Sequence, residues 1–242
     1  MKLELRAVQV ASLAYKDAQA FNDAGYYNVA GITDEDTSTQ AFIVEDDDYL
    51  YLTFTGTESF TDLITDLRFL KKKAFGQFRL HRGFWEAWRS VSDRVAGEVM
   101  QRQLDAKANE DIMKPVVYCG HSLGAALVTI AAATHNPNYC ITFGSPPVGG
   151  KRFRTHTAEA NTLYLRYALD GDPVPRLLKW NPFYRHVGRL LFIDSEGETH
   201  INPSWWSALK MRLSGSRDIT DHAVRSYHTQ VFLDKEGRCT RN

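Results

Sequence analysis

"VVYCGHSLGAALVTIAAAT", residues 116–134, changes character in its middle. Val116, Val117, Tyr118 and Cys119 are residues that fill a buried strand, and the alanine-rich run from Ala125 to Ala133 favours a helix. Gly120-His121-Ser122-Leu123-Gly124 falls on the junction. A strand that turns directly into a helix leaves no room for side chains flanking the bend. It also forces the bend residue into a strained backbone, with its side chain held clear of the sheet. The spacing therefore predicts a strand, a tight elbow and a helix, with Ser122 at the bend as a candidate nucleophile.

A serine hydroxyl is almost never ionised at neutral pH, so it needs a base beside it, and the base needs an acid to orient it. On an elbow of this kind the partners follow in the order Ser, Asp or Glu, His. In "LYLRYALDGDPVPRL" a β-run ends in Asp170-Gly171-Asp172-Pro173, on the loop edge where α/β sheets build their sites. Asp172 is the stronger acid candidate, and Asp170 is a rival that could equally make an Asx-turn. Past it stand His186, His200, His222 and His228. His222, in "DITDHAVRSYHTQVF", lies at the start of a predicted last helix and is the first choice of base, with His228 the alternative. An oxyanion needs two donors: the N–H of Leu123, placed by the elbow, and one from an earlier loop. "LTFTGTESF" offers Gly56, read as a sharp turn, and then Thr57, although an ordinary turn would look the same.

Outward from these blocks, residues 3–21 read as helix, and 41–44 with 49–54 as a hairpin about the acidic turn 46–48. Phe84, Ala87, Trp88, Val91, Val95 and Val99 mark one face of a long amphipathic helix. Strands are expected at 139–143 and 162–167 and in "RLLFIDSEGE". Strands alternating with helices imply a mostly parallel central sheet flanked by helices, and with no repeat or linker the 242 residues read as a single α/β domain, 1–242.

Lys plus Arg and Asp plus Glu both total 29, which argues against nucleic acid as a partner held by bulk charge. No stretch approaches the ~18 apolar residues of a membrane span. Three cysteines do not suggest a disulfide framework, and the opening residues mix charges into their apolar positions, unlike a secretory leader. Together these predict a cytoplasmic location. Neither a metal-ligand cluster nor a phosphate-cradling glycine loop is present in the sequence, so the expected chemistry uses no metal and no cofactor.

"FTGTESFTDLITDL", "HRGFWEAW", "GHSLGAAL", "FGSPPVGGKRF", "DGDPVPRL", "RHVGRLLFID" and "DHAVRSY" resemble, in order, the successive blocks of the class 3, fungal-lipase-like group of α/β-hydrolases. The resemblance runs from about residue 15 to about residue 227. It implies an α/β-hydrolase fold and carboxyl ester hydrolysis, acylglycerols being the usual substrates. It also implies Ser122, Asp172 and His222 as the triad, with Thr57 and Leu123 as the oxyanion donors. Two departures stand out: position 55, commonly arginine, is threonine, and Leu63 replaces a lid tryptophan.

Two segments suit contact with lipid. In "SFTDLITDLRFL" Phe60, Leu63, Ile64 and Leu67 fall at helical spacing, which reads as a lid helix over residues 59–70 or as a core-facing stripe. "NPSWWSALKMRLSGSR" sets Trp205 and Trp206 beside cations, as at a transient lipid interface or in a cap over an acyl pocket. The expected activity is that of a triacylglycerol lipase. An esterase or phospholipase acting on short-chain, feruloyl or phospholipid esters would use the same triad, and a non-catalytic hydrolase-fold binding protein is the reading from another class.

Overall fold

A computed structural model describes residues 2–56, 72–75, 78–109, 112–177, 183–204 and 222–232. Among them eight strands form one sheet: β1 (Tyr27–Asp34), β2 (Thr39–Glu45), β3 (Leu50–Phe54), β6 (Val116–His121), β7 (Tyr139–Phe143), β8 (Leu163–Leu169), β9 (Arg189–Ile193) and β10 (Thr199–Ile201). They are adjacent in that order. β3, β6, β7, β8 and β9 run parallel, and antiparallel partners close each side. β4 (Lys72–Phe75) and β5 (Phe78–His81) pair separately.

Helices cover both faces. On one side lie α3 (Arg82–Ala108) and α4 (Leu123–His135); α5 (Lys151–Glu159) adds Phe153 to their core. On the other lie α1 (Leu3–Leu13) and α6 (Val224–Phe232). Alternation along the strands distributes the core: Val116 and Tyr118 pack toward α3 and α4, Val117 and Cys119 toward α1. Strands buried on both faces carry unbroken apolar runs, which is why β6 is buried throughout.

The predicted stripe on α3 faces the core, with Phe84, Trp88, Val91 and Val95 buried and Trp85 beside them. The helix expected over 3–21 is two helices. Asp17 accepts from the Ala20 N–H and caps a separate α2 (Ala18–Asp23), a start signal hidden inside an apolar pattern. β1 and the β4–β5 pair went unpredicted. β1 is an edge strand with a mixed exposure pattern, so its sequence lacks a buried strand's apolar run.

Cys119 and Cys140 are buried free thiols on opposite faces of the sheet, so they cannot pair with each other. Thiols inside a packed core are inert in any compartment, and the cysteine count therefore says nothing about location. No helix among the described residues is long and apolar enough to cross a membrane.

His81 closes the N-terminus of α3, its Nδ1 accepting from the Phe84 N–H at 3.5 Å. Burial pushes its pKa down to about 4. A histidine kept neutral when folded must gain a proton on unfolding in acid. Its contribution to stability is thus complete above the ordinary value of 6.5 and is lost as pH falls toward 4. Urea midpoints should fall across that window, and His81→Asn, which keeps a capping acceptor without the titration, should flatten part of the fall. His121 and His135, shifted the same way, contribute to the fall as well. In the core, Trp88→Ala should cost about 3–5 kcal/mol. Met100→Ala, on the same helix at a residue 61 % exposed, should stay within about 0.5 kcal/mol of wild type in the same melts.

Candidate active site

Ser122 joins β6 to α4 at φ 57° and ψ −122°, a left-handed-side backbone that only tight surroundings impose on a serine. A Cβ on Gly120 would lie 2.7 Å from the Gly124 carbonyl group, and one on Gly124 would lie 2.3 Å from the Phe54 oxygen. The flanking glycines therefore let β6, the first turn of α4 and the end of β3 touch. The Ser122 N–H donates to the Phe143 carbonyl at 3.0 Å, tying the elbow to the next strand.

The next two parallel strands bring their loops to the same edge. After β7, Gly144 turns at φ +59° and leaves a hollow; a Cβ there would sit 2.8 Å from Asp172 Oδ2 and 3.2 Å from His222 Nδ1. After β8, Asp172 is fully buried. From the far side of the sheet, His222 arrives just ahead of α6. Ser122 Oγ lies 2.9 Å from His222 Nε2, and His222 Nδ1 lies 3.0 Å from both Asp172 oxygens. A carboxylate accepts only, so Nδ1 carries the proton and Nε2 is left to accept from the serine hydroxyl.

A buried carboxylate needs several donors. Besides His222, Asp172 accepts from the Val174 N–H at 2.8 Å and the Tyr227 hydroxyl at 2.5 Å. Tyr227 also accepts from the Leu169 N–H at 3.2 Å. Burial and the facing Asp172 push the Tyr227 phenol well above its ordinary pKa, so it stays a donor. Sequence reasoning missed Tyr227: its spacing from His222 is plain, but only the packing of α6 shows that it meets Asp172.

The rivals are placed elsewhere. Asp170 accepts from Arg176 Nη2 at 3.0 Å, His186 Nε2 donates to the Pro175 carbonyl, and His200 pairs with Asp194. His228 follows Tyr227 on α6, six positions past the histidine that reaches Ser122. Leu123 is the first residue of α4, where an N–H has no intrahelical acceptor. Thr57, Phe60, Leu63, Ile64, Leu67, Trp205 and Trp206 lie outside the described residues. A cavity of about 600 Å³ opens at the opposite end of the sheet beside Tyr27, Glu45 and Lys114 and is lined by none of Ser122, Asp172 and His222.

Class 3 lipases match residues 51–181, and the chain belongs to that family. A secreted mono- and diacylglycerol lipase of Fusarium solani is 35% identical over 119 residues, 48% of this chain and 34% of that protein. Another from Penicillium camembertii is 26% identical over 186 residues, 74% of this chain and 59% of its own length. The chain thus spans between about a third and three fifths of these relatives. Lipase II of Rhizopus niveus superposes with a TM-score of 0.75 at 21% identity, over 90% of this chain and 91% of that one. The fold is the α/β-hydrolase fold of these fungal lipases, a mostly parallel sheet flanked by helices. The relatives overturn the expectation of a cytoplasmic location: their names say secreted, which points outside the cell.

Gly144→Ala tests the hollow. The added methyl would press on Asp172 and His222 at a backbone angle that disfavours it. The variant should fold, melt a few degrees lower, and react with a serine-directed phosphonate at Ser122 about 100-fold more slowly. Labelling at the wild-type rate would mean that the two side chains do not govern the serine.

Proposed function

We propose that the chain is a single catalytic domain that hydrolyses carboxyl esters of lipids, acylglycerols first among them, through an acyl-enzyme on Ser122. The observation that carries this reading is the unbroken run of contacts Ser122 Oγ–His222 Nε2 and His222 Nδ1–Asp172, at 2.9 and 3.0 Å. Membership of the lipase family supports it.

Ser122 attacks the ester carbonyl while His222 takes its proton. Asp172 holds the imidazole with Nδ1–H inward and stabilises the cation that forms. The oxyanion takes hydrogen bonds from the Leu123 N–H and from Thr57. His222 then returns the proton to the departing alcohol, and water, activated by the same histidine, frees the acid. Losing one oxyanion donor costs about 2.7–4 kcal/mol of transition-state stabilisation. The amphipathic residues Phe60, Leu63, Ile64 and Leu67 serve as a lid that meets lipid, with Trp205 and Trp206 as a second contact.

Initial rates on p-nitrophenyl esters from acetate to palmitate, below and above their solubility limits, test the substrate class. The rate should rise with chain length and jump when substrate aggregates. Activity confined to short soluble esters would make the protein an esterase, and silence across the panel would end the proposal. Asp172→Asn should lower kcat about 10⁴-fold, whereas Asp170→Asn, which only breaks the pair with Arg176, should keep most of it. His222→Ala should abolish turnover and His228→Ala should not; the reverse pattern would reassign the base.

A further inference from the structure

His121 packs against His222, the side chain that would move the proton, and Tyr15 in turn bonds to His121. His121 ends β6 and is 4 % exposed. Its Nε2 lies 2.7 Å from the main-chain oxygen of His222. A carbonyl can only accept, so Nε2 carries the hydrogen. Burial, with His222 alongside, holds the His121 pKa well below 6.5, so the ring is neutral and Nδ1 must accept. The Tyr15 hydroxyl, 2.8 Å from Nδ1, supplies that hydrogen. The His121 and His222 rings also lie against each other, with centroids 4.7 Å apart and planes 34° apart.

Three features of the chain set Tyr15 in place. It follows the C-terminal turn of α1, the helix packed across α6. The Thr55 hydroxyl donates to the Ala14 carbonyl at 2.8 Å and pins the residue before it. A Cβ on Gly56 would sit 1.9 Å from the Tyr15 hydroxyl oxygen, so only glycine at 56 lets that hydroxyl reach His121. Gly56 is thus explained by a close approach, where the sequence suggested a sharp turn. Thr55, the departure from the family's common arginine, belongs to the same assembly.

We propose that Tyr15 and His121 are positioning residues for the base. Tyr15 fixes the tautomer and orientation of His121, and His121 holds both the main-chain carbonyl and the ring plane of His222. The inference rests on the reading of Ser122, His222 and Asp172 as the reacting triad. His222 comes from outside the sheet, so its place relative to Ser122 depends on such ties. A displacement of about 1 Å at a catalytic group can cost 100-fold in rate.

The test uses the full chain and a soluble p-nitrophenyl ester. Tyr15→Phe should lower kcat about tenfold and leave KM within about twofold, as expected of a residue that acts through the orientation of His222. His121→Leu should lower kcat further. The double variant should be no worse than His121→Leu alone, because once His121 is gone Tyr15 has nothing to orient. His121→Gln, whose amide N–H can replace Nε2–H toward the His222 carbonyl, should recover part of the loss. The rate of Ser122 phosphonylation should follow kcat across the series and not follow melting temperature. Additive losses that track melting temperature, or Tyr15→Phe and His121→Gln both at the wild-type kcat, would overturn the proposal. Those two variants decide the matter even if His121→Leu does not fold. A wild-type protein that neither turns over esters nor is labelled at Ser122 would instead sink the triad reading, and this inference with it.

Discussion

The contact on which the rest depends is the one between the first turn of α4 and the end of β3, where Gly124 lies against the Phe54 carbonyl. The helix can come that close only because no side chain stands between. That closeness forces Ser122 into a positive φ, at a cost of about 1–3 kcal/mol. The strain is held by the buried strands on either side, by the Ser122 N–H bond to Phe143, and by the apolar helix that follows. Loosen the contact and the serine would relax into ordinary backbone, with its hydroxyl turned away from the edge.

Given a fixed serine, the placement of Asp172 beside it becomes a matter of strand register. β6, β7 and β8 are neighbours that run the same way, so their C-terminal loops open side by side. The middle loop carries Gly144, and its missing side chain is the space in which the Asp172 carboxylate and the His222 ring meet. Asp172 is removed from water altogether, and four contacts from three donors compensate: His222, Tyr227 and the Val174 N–H. Tyr227 serves twice, accepting from the end of β8 while it donates to the aspartate, so that α6 is locked to the sheet next to His222, which precedes it.

The resemblance read in the blocks and the family match agree, and they agree for a physical reason. Blocks such as "GHSLGAAL" and "DGDPVPRL" encode local geometry, a strand end and a tight turn, which any member of the family must rebuild. The compartment was misread because cysteine number is only a proxy. Cys119 and Cys140 point to opposite faces of the sheet and are sealed in two separate cores, so their survival as thiols carries no information on surroundings.

The sequence by itself determined the elbow, the alternation of strands and helices, the core stripe on α3 and the order in which a serine, a short list of acids and a short list of histidines follow one another. Each is written in neighbouring residues, as a glycine spacing, a 3.6-residue period or a turn dipeptide. Tertiary structure set Asp170 and Asp172, two residues apart on one loop, in different company, pairing the first with Arg176 and the second with His222. It also decided what Gly56 and Gly144 make room for, and it brought His121 against His222, Tyr15 against His121 and Tyr227 against Asp172. Those contacts join positions 50 to more than 100 residues apart. No local pattern can record which distant side chain will fill a hollow; only the packing of α1 and α6 across a finished sheet does.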